Sequence, residues 1–273
     1  MRYRKYLFAF SLLIIVSGIL LTLYPFISKA LSSVKSSEVS KVYHEEVGKL
    51  SLSEIDRLFE EASIYNEKRA DNERCDYYED ILKIDQTGVI GCISIPKLDL
   101  SMNIYHSADM KILMKGIGHI PESSFPVPGR TVHAVLSGHT GLPTMTAFDD
   151  LDQMEIGDIF YIDVLNKRCT YRVDQIEVVL PEECSEHLLM EDGKVQVTLL
   201  TCTPYGVNTH RLLVKGSFVE EDILDIEPVD QEIDKQLLLV YIASGIISCI
   251  AVILAAGRLR KRKDVKRCVK KQS

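Results

Sequence analysis

The sequence predicts a mainly β domain that lies between two membrane-spanning helices. Short apolar runs recur between residues 88 and 219, and Gly, Pro and Asn separate them, which is the pattern of a sandwich or a closed barrel. Two uncharged stretches, 7–27 and 237–256, are each long enough to cross a bilayer. The 273 residues therefore hold one domain of ordinary size with attachments on both sides.

The first uncharged stretch predicts an anchor that is not cleaved. It follows the short basic N-tail 1–6 and contains 21 residues without a charge, whereas the apolar part of a signal peptide has roughly 7–15. The sequence around Pro25 is also a poor cleavage site. We therefore expect a transmembrane helix over residues 7–27.

The second uncharged stretch predicts a second transmembrane helix over residues 237–256, followed by the basic tail 257–273. A basic tail can bind nucleic acid, but one directly after a membrane span favours anionic lipid headgroups. Lys and Arg collect on the cytoplasmic side of a membrane. Because both termini are basic, we expect a two-pass protein of the cell membrane with both termini in the cytoplasm and residues 28–236 outside.

The part between the spans is strongly acidic. Residues 28–236 contain 20 Lys and Arg against 38 Asp and Glu, a net charge of about −18. Such a charge argues against nucleic acid as a ligand and favours cationic or amine-bearing partners.

Residues 28–87 predict a stalk and a helical N-terminal region. Residues 28–50 are polar and rich in Ser and Lys, whereas 53–70 place apolar side chains at helical spacing. Ser53 and Asp56 fit a capping box at the start of that helix. We expect its apolar stripe to pack on the domain, with binding to a partner as the alternative.

The β domain is expected to begin at residue 88, end at residue 219 and be followed by an acidic linker, 220–236. Alternation and β-branched residues place its elements in chain order. The predicted strands are 89–95, 102–105, 131–137, 159–164, 169–179, 195–201 and 211–219, and the predicted helical turns are 109–115 and 144–151.

Cys202 is the candidate nucleophile. It stands where the strand that begins at Val195 ends, and Arg211 follows at the start of the next strand. A free cysteine is more often a buried core residue than a reactive one. The residues around it reverse that interpretation.

TLLTC (198–202) followed by Arg211 resembles the signature of the sortase family, and TCTPYGVNTHRLLVKG (201–216) resembles its class C, pilin-polymerising branch. The segment HAVLSGHTGLP (133–143) resembles the upstream half of the signature and presents His139 in a loop. The resemblance continues through 88–98, 115–129 and 151–165. It implies a closed, mainly eight-stranded β-barrel with short helices, a choice that periodicity alone does not make.

The three residues supply the functions that thiol transpeptidation needs. A thiol attacks a carbonyl as thiolate, so Cys202 needs a partner such as His139 that protonates the departing amine. Arg211 has a permanent charge and a fork of donors that suit an oxyanion or a carbonyl. The resemblance implies cleavage of an LPxTG-like sorting signal between Thr and Gly and transfer to an amine, a pilin lysine in class C. No cofactor is expected.

Two further residues are expected to support the site. Thr201 would position the thiol from its strand, with ordinary β-branched packing as the alternative. His119 would support a loop near the site. His133 is expected to be structural, and His210 is expected to face away from the site, since neighbours on a strand point to opposite faces.

Five cysteines lie between the two spans: Cys75, Cys92, Cys169, Cys184 and Cys202. An odd number leaves at least one thiol free, which we expect to be Cys202. The spacing of the other four does not decide whether they form disulfides. No Cys or His cluster has the spacing of a metal site, so no metal is expected.

One departure from class C sortases concerns the lid. The resemblance implies an Asp-Pro-aromatic motif that plugs the cleft, but this chain has no proline between Pro25 and Pro96. Asp76-Tyr77-Tyr78 could replace that motif. Two alternatives stay open: a sortase that anchors proteins to a peptidoglycan amine, and a non-enzymatic membrane-tethered β-domain with Cys202 buried.

Overall fold

The structure is a computed structural model that describes residues 2–71, 73, 75, 77–142, 145–219 and 224–225. The described residues fall into two units, one made of residues 2–31 and the other of the described residues from 32 to 225. The predicted second span and the basic tail lie outside the described residues, as does all of the linker except Leu224–Asp225.

The predicted anchor is helical. Helix α1 (Arg2–Val47) contains the apolar segment, and it is the one helix among the described residues that is long and apolar enough to cross a membrane. The helix continues through the predicted stalk. In the second unit, its last turns join the domain core, where the buried Tyr43 hydroxyl donates to the Ile90 carbonyl at 3.2 Å and accepts from the Leu165 amide at 2.9 Å.

Helix α2 (Leu52–Ala70) packs its apolar stripe on the domain, as predicted, with Ile55, Leu58, Ala62 and Tyr65 buried. The capping box, however, consists of Ser51 and Glu54, so the predicted pair Ser53 and Asp56 is wrong. The N-cap residue needs extended backbone. Ser51 has φ −72° and ψ 156°, whereas Ser53 already lies inside the helix.

The domain is a closed barrel of eight strands, which confirms the mainly β prediction. The strands are β1 (Val89–Ile95), β2 (Leu100–His106), β3 (Ile117–His119), β4 (Val132–Ser137), β5 (Ile159–Val164), β6 (Lys167–Val179), β7 (Val195–Thr203), β8 (His210–Phe218) and β9 (Leu224–Asp225). Their order is β5-β1-β2-β3-β4-β7-β8-β6-β9. Pairing of β5 with β6 closes the ring, and β9 adds to β6 outside it.

Most predicted elements are confirmed within one or two residues, and the differences are short. β3 and β9 have three and two residues, too few to show an alternating pattern. Helix α3 (Met110–Leu113) confirms the turn expected at 109–115. The helical turn expected at 144–151 is wrong for the described residues 145–150, and a 3₁₀ turn follows at Leu151–Gln153.

Strands β4, β7 and β8 have two distinct faces. The inner face belongs to the hydrophobic core and carries Ala134, Leu136, Val197, Leu199, Leu212 and Val214. Residues between them point to the other side, because side chains alternate along a strand. We call this side the outer face, and Cys202 and Arg211 lie on it.

Candidate active site

Cys202 and Arg211 lie directly opposite each other on β7 and β8. Residues paired across antiparallel strands have their side chains on the same side of the sheet. The Cys202 thiol is partly exposed and is not in a disulfide. The Arg211 guanidinium donates to the carbonyl of His210 at 3.1 Å and lies 3.4 Å from that of Asn208. These contacts hold the guanidinium next to the turn between β7 and β8.

His139 is brought to the same place by the parallel pair β4 and β7. The last paired residues are Ser137 and Leu200, and the Gly138 amide continues the ladder by donating to the Leu200 carbonyl at 3.0 Å. His139 and Cys202 each follow that last pair by two residues. The backbone at His139 therefore leaves the end of β4 beside the end of β7 that carries Cys202.

The loop after β4 is fixed on both sides of His139. The His139 carbonyl accepts from the Phe148 amide at 3.0 Å, and its Nε2 lies 3.2 Å from the Met110 thioether of α3. A Cβ at Gly138 would lie 2.5 Å from the Phe148 ring and 2.8 Å from Ile117. Only glycine fits this close approach, so local packing sets where His139 emerges.

Thr201 joins the two strand ends. Its side chain is 2% exposed, and its hydroxyl donates to the Gly138 carbonyl at 2.8 Å. The hydroxyl therefore bonds the residue before Cys202 to the residue before His139. The loop after β4 also comes close to the turn after Cys202 at Gly141 (φ +83°), which lies beside Gly206.

His119 is fully buried between β3 and the loop that follows it. Its Nδ1 lies 2.9 Å from the Tyr78 hydroxyl, its Nε2 lies 2.7 Å from the Ser124 carbonyl, and its ring stacks on Phe125 at 4.6 Å. Burial lowers the pKa of His119 to about 4. His119 is thus neutral near pH 7 and orders the loop through residues 120–125.

Tyr78 belongs to the same buried cluster. Its hydroxyl also accepts from the Ser107 amide at 3.0 Å, and the Ser107 hydroxyl accepts from the amide of Asp109, which precedes α3. Tyr77 is partly buried beside Lys68, whose ammonium donates to its hydroxyl at 3.1 Å. Asp76 lies outside the described residues. Tyr78 therefore packs in the core and helps to fix the turn before α3.

The other two histidines of the matched motifs have their own partners. His133 is buried, with Nε2 2.8 Å from the Thr198 hydroxyl and Nδ1 3.0 Å from the Leu189 carbonyl. His210 lies opposite Thr203 and contacts the Thr209 hydroxyl at 2.9 Å.

None of the five cysteines between residues 28 and 236 is in a disulfide. Burial raises the pKa of Cys92 and of Cys169 to about 12, so both are inert thiols. Burial also raises the pKa of Cys184, against the charge of Arg211, which lowers it. In the part of the chain that the structure describes, no three His, Cys, Asp or Glu side chains form a group that could hold a metal ion.

Sequence reasoning missed two neighbours of the site, Met110 beside His139 and Cys184 near Arg211. Met110 comes from α3 and Cys184 from the loop between β6 and β7. Neither residue lies in a motif that marks it as a neighbour. Their positions follow only from tertiary packing.

Comparisons with known proteins agree on one family. The family profile described as the Sortase domain matches residues 93–219. A Clostridium perfringens sortase C, solved with the C-terminal cell wall sorting motif, is 40% identical, with a TM-score of 0.60 over 65% of this chain and 95% of that chain. A Streptococcus pneumoniae sortase C, whose structure addresses catalysis and pilin substrate specificity, is 36% identical, with a TM-score of 0.64 over 69% and 100%.

A curated relative, sortase A of Bacillus anthracis, is 29% identical over 136 residues. The alignment covers 50% of this chain and 62% of that protein, so this chain spans less than two thirds of the relative's length.

Proposed function

This chain belongs to the sortase family of cysteine transpeptidases, and we propose that it is a membrane-anchored class C sortase that polymerises pilins. The observation that supports the catalytic part is that Cys202 pairs with Arg211 across β7 and β8, while His139 follows β4, the strand that pairs with β7 on its other side. The three roles that the chemistry requires are nucleophile, acid or base, and oxyanion donor. Each role then has one residue at or just after the end of a strand.

In the proposed reaction, the Cys202 thiolate attacks the Thr carbonyl of an LPxTG-like sorting signal. Arg211 donates hydrogen bonds to the oxyanion that forms, and His139 protonates the amine of the departing Gly. The acyl group stays on Cys202 as a thioester. An amine then attacks the thioester carbonyl, His139 takes its proton, and the Cys202 thiolate leaves.

Three observations support a pilin lysine as the amine. The similar proteins include the pneumococcal sortase C, and the sequence 201–216 resembles the class C branch. The acidic region between the two predicted spans also suits a cationic acceptor.

Helix α1 supports attachment to the membrane. We include in the proposal the second span at 237–256 and the placement of the catalytic domain outside the cell.

The test is a competition between acceptors. The full chain in membranes is given a protein with an LPxTG-like signal, together with either a lysine-bearing pilin domain or a peptidoglycan peptide amine. We expect a ladder of isopeptide-linked proteins with the pilin domain. Exclusive transfer to the peptidoglycan amine would contradict class C activity and identify a wall-anchoring sortase.

A further inference from the structure

The outer face continues beyond Cys202 and Arg211 as rows of residues that lie side by side on β4, β7 and β8. The register places Ser137, Leu200 and Leu213 in the next row. The row after it holds Val135, Thr198 and Lys215, and the last row holds His133, Gln196 and Ser217. We define the polar end of the face as His133, Gln196, Thr198 and Lys215.

One side chain of the polar end has a buried polar atom without a partner. Gln196 is 4% exposed, and its Oε1 has no hydrogen-bond partner among the residues that the structure describes. Lys215 is 7% exposed, and its ammonium is not among the buried polar atoms that lack a partner. A buried amide oxygen loses free energy unless a partner replaces its water.

The carboxylates near Lys215 have other partners. Lys215 lies close enough to Glu177 and Glu191 for its charge to lower the pKa of each. Their oxygens, however, bind His187 at 2.8 Å and Lys194. The two carboxylates offset the charge of Lys215 and would repel an acidic ligand. A neutral group that both accepts and donates hydrogen bonds fits better.

We propose that the polar end is a subsite for one peptide group of the substrate main chain. Lys215 Nζ donates to the carbonyl of that group, and Gln196 Oε1 accepts from a main-chain N–H. Only one donor and one acceptor are needed, so the subsite reads backbone and tolerates many side chains. This inference rests on the proposed function, because the bound peptide must also reach Cys202.

The spacing along β8 gives the position of that peptide group in the substrate. Lys215 follows Arg211 by four residues, which is about 13 Å along a strand. An extended substrate covers the same distance in about four residues. We assign the subsite to the residues just before the sorting pentapeptide. The acyl part stays bound until the amine arrives, whereas the C-terminal fragment leaves.

The loop at residues 180–194 covers the polar end. Its Leu189 carbonyl lies 3.0 Å from His133 Nδ1, and its His187 binds Glu177 at 2.8 Å. A peptide therefore reaches Lys215 between this loop and the sheet, after these hydrogen bonds open. The substrate hydrogen bonds to Lys215 and Gln196 offset the loss of these contacts.

The test compares peptides of different length with the full chain. The short peptide starts at the first residue of an LPxTG-like signal, the long one carries three further residues before it, and a third is the long peptide with an ester in place of the last amide before the signal. We expect the long peptide to have a roughly ten-fold lower KM than the other two, with equal kcat.

Lys215→Met and Gln196→Met should each raise the KM of the long peptide to that of the short one and leave the short peptide unchanged. Lys215→Arg keeps the donors and should preserve the difference, which separates a lost contact from a misfolded barrel. Lys97→Met is the control, because Lys97 binds Glu155 and Asp158 elsewhere on the domain. It should behave as the wild type.

Equal KM values for the short and long peptides in the wild type would overturn the subsite alone. A Lys215→Met variant that slows both peptides alike would also overturn it and show a structural role. A benefit only from residues added after the signal would overturn the assignment to the acyl side. Cleavage of neither peptide by the wild type would overturn the proposed function, and the subsite with it.

Discussion

The hydroxyl of Thr201 donates to the carbonyl of Gly138 at 2.8 Å, across the gap between the ends of β7 and β4. The next residues along the two chains are Cys202 and His139. One buried hydrogen bond therefore joins the two backbone segments that carry Cys202 and His139. A nucleophile and its acid or base must lie within hydrogen-bond reach when they react, so in the proposed reaction this bond helps to position the two residues.

Thr201→Val tests that contribution, because valine keeps the shape and removes the hydroxyl. The Gly138 carbonyl loses its partner, which costs about 1–3 kcal/mol. We expect kcat/KM for peptide cleavage to fall by about ten-fold or more, which about 1.4 kcal/mol at the transition state would produce. Thr87→Val is the control, since the Thr87 hydroxyl binds Asp85 in the loop before β1. Equal activity losses in both variants would mean that Thr201 acts on stability alone.

Arg211→Lys keeps the positive charge and removes the fork of donors. If the fork aligns an oxyanion, kcat should fall by about 10²-fold or more, the scale of a lost oxyanion donor. Steady-state cleavage of an LPxTG-like peptide gives the number. Arg172→Lys, at an exposed position on β6, should match the wild type. A near-normal rate with lysine at position 211 would show that charge alone suffices.

The lowered pKa of the buried His119 predicts that the folded domain loses stability as the pH falls. Its pKa is about 4 in the folded protein and about 6.5 in an unfolded chain. The unfolded state therefore binds the proton first as the pH falls. The contribution of neutral His119 to the free energy of unfolding is fully present above pH 6.5. The loss of that contribution down to pH 4 reaches about 3 kcal/mol.

Denaturant unfolding at several pH values between 7 and 4 measures the slope of the free energy of unfolding against pH. His119→Gln should flatten it, although not fully, because burial also lowers the pKa of His106 and of His133. His210→Gln should leave the slope as in the wild type. An unchanged slope in His119→Gln would contradict the assignment.

Tyr78 tests whether a lid controls access to Cys202. Its hydroxyl binds Ser107 and His119 in the core, so Tyr78→Phe should destabilise the domain by about 1–3 kcal/mol. Labelling of Cys202 by a small thiol reagent, followed by mass spectrometry, should stay at a single rate close to that of the wild type. A ten-fold acceleration, equal to about 1.4 kcal/mol, would mean that Tyr78 closes the site.

Much of the barrel can be predicted from the sequence because seven of its strands are long enough to show alternation. β3 has three residues and sits between two irregular segments, so no local pattern marks it. The start of α2 is ambiguous because Ser51 and Ser53 both precede an acidic residue by three positions. Only the backbone angles decide between them.

The candidate site shows the same division. Cys202 and Arg211 stand at the ends of two consecutive strands, so a hairpin brings them together without further information. The position of His139 depends on the parallel pairing of β4 with β7, which joins residues about 60 apart in the chain. Met110 and Tyr78 reach this region only through tertiary packing, and their own segments contain no signal for it.

The most direct test of the central claim is the intact mass of the protein after incubation with an LPxTG-like peptide. The wild type should gain the mass of the peptide up to its Thr as a thioester, and an added amine should remove that mass. Cys202→Ala should gain no mass and cleave no peptide while its far-UV circular dichroism stays unchanged. Cleavage by the Cys202→Ala variant, or an adduct on another residue of the wild type, would contradict the assignment of Cys202 as the nucleophile.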